Sequence, residues 1–91
     1  MLIEFDKSFS KSLDKISDSL VLAKIENVIT ELESTNVLSN VRNIKKLAGF
    51  RNYYRIKLGD YRLGIELIDP HIIRFIIVAH RKDIYRNFPK K

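Results

Sequence analysis

The chain has 91 residues, a formal net charge of +6 and an apolar content of 45%, so it must spend nearly all its apolar residues on one core. With 31% charged residues and no cysteine, composition argues against disorder and removes disulfides, thiolate nucleophiles and cysteine-ligated metals. No apolar run reaches the ~20 residues of a membrane span and the start, MLIEFDKSFSK, lacks a signal peptide's apolar stretch, so we expect a single domain over residues 1–91, in the cytoplasm and not at a membrane.

The opening Leu2-Ile3-Glu4-Phe5 reads as a short strand. Asp6 or Ser8 then caps a helix, because an oxygen side chain there satisfies free backbone N–H groups. Phe9, Leu13, Ile16 and Leu20 follow on one helical face. Ser17-Asp18-Ser19 interrupts the pattern and supplies a second cap. Val21, Ile25, Val28, Ile29 and Leu32 form a second stripe, ending near Ser34-Thr35-Asn36. The two stripes predict a helical hairpin packed on a sheet.

After residues 37–46 the period becomes two. In Asn52 to Leu58, Tyr54, Ile56 and Leu58 share one face, with Tyr53, Arg55 and Lys57 on the other. Gly59-Asp60 suits a tight hairpin. Tyr61 to Ile68 alternates in the same way, with Arg62, Gly64 and Glu66 opposite the apolar set. Asp69-Pro70 turns the chain again, and Ile72 to Ala79 is apolar on both faces apart from Arg74, which predicts a strand interior to the sheet. The tail from Arg81 to Lys91 is polar and aromatic. The class is α+β, in the order β-α-α-β-β-β, an antiparallel sheet with the helical hairpin on one face.

Charge is placed unevenly along this order. Residues 1–41 carry four Lys against seven acids, a net of −3, whereas residues 42–91 carry thirteen Lys and Arg against four acids, a net of +9. Such asymmetry points to a polyanion, nucleic acid above all. Arg55 and Lys57 point the same way from one strand. A two-residue loop at Gly59-Asp60 sets Lys57 opposite Arg62, and like charges facing across a ladder are destabilising, which hints at a bound anion. Arg55 also has Glu66 as a diagonal neighbour. His80, Arg81 and Tyr85 follow the last strand, free to fold over this open face. Converging cations with a Tyr suit a phosphodiester, which gains charge in the transition state of cleavage, beside an unpaired base. RNA carries its own nucleophile, the 2′-hydroxyl. With no acidic cluster spaced for Mg²⁺, metal-independent RNA cleavage is the enzyme reading, with no cofactor.

The segments Lys46-Leu47-Ala48-Gly49, Tyr54-Arg55-Ile56-Lys57-Leu58, Gly59-Asp60-Tyr61-Arg62-Leu63 and Val78-Ala79-His80-Arg81-Lys82-Asp83-Ile84-Tyr85 resemble the RelE/ParE toxin superfamily, and RelE-type toxins most closely. The resemblance implies the RelE fold, cleavage of mRNA in the ribosomal A site, and partners comprising a cognate antitoxin, the ribosome with its mRNA, and operator DNA reached through the antitoxin complex. By the same resemblance Lys57 matches the proposed general base, Arg62 a phosphate and transition-state clamp, Arg81 the leaving-group acid or charge stabiliser, and Tyr85 a base-stacking tyrosine. At Arg55 the sequence departs from RelE, which carries Lys there. Arg55, Lys46 and Arg51 are assigned to substrate binding. Arginine scarcely gives up a proton, and a lysine acts as base only where neighbouring cations lower its reference pKa of ~10.4. Imidazole, with a reference near ~6.5, titrates close to neutrality, so His80 is a candidate to share the proton transfer. Two alternatives stand beside this reading: a ParE-like inhibitor of DNA gyrase without nuclease activity, and a non-catalytic nucleic-acid-binding module.

Overall fold

In chain order the elements are β1 (Leu2–Phe5), α1 (Lys7–Leu13), α2 (Ser19–Ser34), a 3₁₀ turn (Leu38–Asn40), β2 (Ile44–Lys46), β3 (Tyr53–Leu58), β4 (Tyr61–Asp69), β5 (Ile72–His80) and α3 (Ile84–Asn87). They come from a computed structural model that describes residues 1–89, so the last two residues of the expected tail lie outside the described residues. Three elements add to the sequence reading, the 3₁₀ turn and β2 with three residues each and α3 with four. All are too short to show a period.

Asp6 starts α1. Its carboxylate accepts the Ser8 N–H at 3.0 Å and lies 2.6 Å from the Ser8 hydroxyl, which also reaches the Ile76 carbonyl. The cap thereby pins α1 to β5. The hydrogen bonds of Ser8, hydroxyl first and backbone N–H second, hold the Asp6 carboxyl below its ordinary value. A carboxyl lowered by folding stabilises above its unfolded pKa, and that contribution is lost as pH falls through the folded value. Asp6→Ala is therefore expected to cost about 1 kcal/mol at neutral pH through loss of the cap, with the gap to wild type narrowing below the ordinary carboxylate range. Asp6→Asn keeps a cap that does not titrate. Urea unfolding of the three proteins across acid pH checks this, and an unchanged gap would refute it.

The first helix is shorter than its apolar spacing predicts. It stops at Leu13, leaving Ile16 half-buried in the link and Leu20 exposed in the first turn of α2. The Ser17-Asp18-Ser19 interruption is the reason, because Asp18 caps α2 by accepting the Leu20 N–H at 2.9 Å. Along α2 the stripe Val21, Ile25, Val28 and Leu32 is buried, with Ile29 at its margin.

The sheet order is β1-β5-β4-β3-β2. From β2 to β5 the strands form an antiparallel meander. β1 joins β5 in parallel, Leu2 beside Ile72 through Phe5 beside Phe75, so the sheet is mixed and β5 is interior. The parallel edge arises because the chain leaves β1 through both helices, enters at the far edge, and winds back to its start. Glu4 and Arg74 pair at 3.0 Å across this closure.

Both helices cover one sheet face. Phe9, Val21, Ile25, Val28 and Leu32 pack on Ile56, Leu58, Leu63, Ile65, Ile73, Phe75 and Val78. A bulge in β5 opposes Gly64 to Ile77 but Ile65 to Phe75, leaving Ile76 over. Past it the inward positions change from Ile73 and Phe75 to Val78. The opposite face carries a smaller core, Leu47, Ile84 and Phe88 with Phe50, Tyr53, Ile76, Ile77 and Ala79 packed against it. Gly64 makes room for it, since a Cβ there would meet the Phe88 ring at 2.6–2.8 Å. Among the described residues no helix is long and apolar enough to cross a membrane.

Candidate functional site

The β3–β4 hairpin builds the site. Gly59, at φ +60°, supplies the positive dihedral that a II′-type turn needs at its first central residue. The two-residue loop then sets Leu58 opposite Tyr61, Lys57 opposite Arg62 and Arg55 opposite Gly64. Arg55, Lys57 and Arg62 thus share the face away from the helices, where the small core leaves a shallow recess of about 350 Å³ lined by Asn43, Ile44, Lys45, Arg55, Lys57, Arg62 and Tyr85. Among the described residues no carboxylate lies within ion-pair distance of Arg55, Lys57 or Arg62. The recess is a cluster of like charges open to solvent.

Each cation is held differently. The Arg55 guanidinium sits 4.6 Å from the centre of the Tyr85 ring, a cation–π contact. The register is the expected one, with Glu66 opposite Tyr53 and Gly64 opposite Arg55, but among the described residues the diagonal Arg55–Glu66 ion pair does not form. Tyr85 itself is 71% exposed. It is placed by its neighbours Ile84 and Phe88, which bury in the small core. Arg62 folds back on the turn, donating to the carbonyls of Gly59 at 2.7 Å and Tyr61 at 2.9 Å. Arg81 stands at the same end of the sheet. Its N–H donates to the Asp60 carbonyl at 2.8 Å and its Nε lies 4.0 Å from the Asp60 carboxylate.

Arg81 does not line the recess, and three other residues singled out in the sequence are not brought to it either. His80 is the last residue of β5 rather than a free residue beyond it, and pairs with Tyr61 on the helix-covered side, ring to ring at 5.6 Å. Its Nδ1 accepts the Lys82 N–H at 3.2 Å, and it lines a separate recess with Lys11 and Lys15. Lys46 pairs with Tyr54 and so faces the helix side of β2. Arg51 is exposed in the connection before β3, at the opposite end of that strand from Lys57. The residue missed is Lys45, which pairs with Arg55. The signal for it is Ile44, whose apolar side chain belongs inward and so turns Lys45 outward.

The fold matches those of solved toxin–antitoxin complexes. The toxin–antitoxin complex RelB–RelE from Methanococcus jannaschii matches with a TM-score of 0.79 and 40% identity, over 94% of this chain and 99% of that one. The intact RelBE complex of Escherichia coli matches with a TM-score of 0.69 and 27% identity, over 87% and 94%. In sequence, Toxin RelE3 of Methanocaldococcus jannaschii is 41% identical over 90 residues, 98% of this chain and all of the relative. A family model described as the ParE toxin of the type II toxin–antitoxin system, parDE, matches residues 3–85. The chain belongs to that family, within the RelE/ParE superfamily, as a RelE-type toxin of a type II toxin–antitoxin system.

Proposed function

We propose that this toxin is a ribosome-dependent endoribonuclease that cuts mRNA in the A site. The supporting observation is Lys57 facing Arg62 across the hairpin, in an open recess beside the Tyr85 ring that no carboxylate among the described residues lines. Tyr85 stacks on a base of the bound codon. Lys57 takes the proton of the 2′-hydroxyl, whose oxygen attacks the adjacent phosphorus. The bond from phosphorus to the 5′-oxygen breaks, leaving a 2′,3′-cyclic phosphate. Arg62 clamps the non-bridging oxygens as their charge grows, and Arg81 stabilises the departing 5′-oxygen, which takes a proton from water. His80 lies on the other face and takes no part in this step. Residues 1–91 act as one domain in the cytoplasm, held inactive by a cognate antitoxin, as the RelB complexes of the relatives suggest, and reach operator DNA through that complex.

The test is primer-extension mapping of mRNA on purified ribosomes, with naked RNA as control. Wild type is expected to cut at A-site codons, His80→Ala to cut likewise, and Arg81→Ala to lose cutting by ~100-fold or more. Folded wild-type protein that makes no cuts would overturn the reading. Inhibition of DNA gyrase by that protein would instead favour the ParE-like alternative.

A further inference from the structure

We propose that Lys45 holds a second RNA backbone phosphate, next to the one gripped by Lys57 and Arg62. The proposal rests on the RNA-directed reading above and extends it to a residue outside the motif segments. Register sets the side chain's direction. Lys45 pairs with Arg55 and Lys46 with Tyr54, so consecutive lysines leave β2 toward opposite faces, and only Lys45 lines the recess.

The short strand is anchored at both ends. Asn43 adopts φ 62°, a left-handed conformation that Asn tolerates better than most residues, and its carbonyl accepts the Lys57 N–H at 3.1 Å. Past the other end, the Leu47 N–H donates to the Tyr53 carbonyl at 2.9 Å. Lys45 is thus an exposed charge on a fixed support, with no carboxylate partner among the described residues.

Two like-charged pairs result, Lys45 with Arg55 across β2 and β3, and Lys57 with Arg62 across β3 and β4. They are offset by one strand and two residues, roughly 5 Å by 7 Å in sheet geometry. Each pair opposes folding in the absence of an anion, and an anion at each relieves both. Tyr85 stacks on Arg55, which belongs to one pair and neighbours the other on its own strand. A nucleotide has the same layout, a base between its two phosphates. With the base on Tyr85 and the scissile phosphate at Lys57 and Arg62, the adjoining phosphate falls to Lys45.

Binding separates this proposal from catalysis. The probe is a fluorescein-labelled single-stranded 2′-O-methyl RNA, which cannot be cut, titrated by anisotropy against the full chain at several salt concentrations. Lys45→Ala is expected to weaken binding and flatten the slope of log K against log salt by ~0.7, one phosphate contact on a single strand. Lys45→Arg is expected to restore both, and Lys46→Ala to change neither. Equal losses from Lys45→Ala and Lys46→Ala, an unchanged slope with Lys45→Ala, or wild type that does not bind the probe would each overturn it. Wild type that binds with this pattern but never cuts mRNA would refute the nuclease and leave the phosphate site standing.

Discussion

Gly64→Ala is expected to dislodge the C-terminal segment and, with it, most of the mRNA cleavage. The added Cβ would sit 2.6–2.8 Å from three ring carbons of Phe88, and that ring is only 3% exposed and packed edge-on against Tyr53 at 5.3 Å. Neither group has room to give, so the clash should cost about 1–3 kcal/mol, the usual range for overpacking. Phe88→Ala removes the ring and should cost about 3–5 kcal/mol. The double variant should cost about as much as Phe88→Ala alone, because the clash needs both partners. Tyr85 lies between the buried Ile84 and Phe88 while its own ring is exposed against Arg55, so both single variants should weaken that contact. Urea unfolding with a double-mutant cycle reads the energies, and A-site cleavage reads the tyrosine. Strict additivity would mean that Phe88 does not occupy the space Gly64 leaves.

Lys57→Thr should move stability and activity in opposite directions. Lys57 faces Arg62 with no acid among the described residues to offset the pair, and relieving a like-charged cross-strand pair is worth about 0.2–1 kcal/mol. Threonine also suits a strand. The variant should therefore unfold at slightly higher urea while cleavage falls by ~100-fold or more, the scale of losing a positioned acid–base group. Added salt should shrink the stability gain by screening the repulsion in wild type. A variant that is both less stable and inactive would show that Lys57 supports the hairpin rather than straining it.

The site was legible where the alternation was long and a turn fixed its phase. Six residues of β3, a two-residue turn and the first residues of β4 were enough to set Lys57 against Arg62. Lys46 shows the opposite case. In a three-residue strand a shift of one position exchanges the faces, so the lysine of the recess is Lys45. His80 was expected beyond the last strand, free to fold over the basic face, but β5 runs on to include it. Continuing the alternation of Ile73 and Phe75 without interruption would send residue 80 to the basic face. The extra residue at the β5 bulge reverses that phase and sends it to the helix side, and no local sequence pattern marks the bulge. Arg55 and Glu66 were close in register, but the final turn of chain brought an aromatic ring to the arginine first.

The pairing of the first strand with the last governs when the molecule can be assembled. Among the described residues β1 lies beside β5 alone, and their partners are some 70 residues apart, as Glu4 and Arg74 are. Contacts of such long separation carry a loop-closure cost and form late. The β3–β4–β5 meander is joined by short turns and has no such wait. During synthesis the N-terminal strand therefore emerges early and stays unpaired until β5 has been made. Tyr85 and Phe88 come later still, so the recess is completed only after the sheet that carries it.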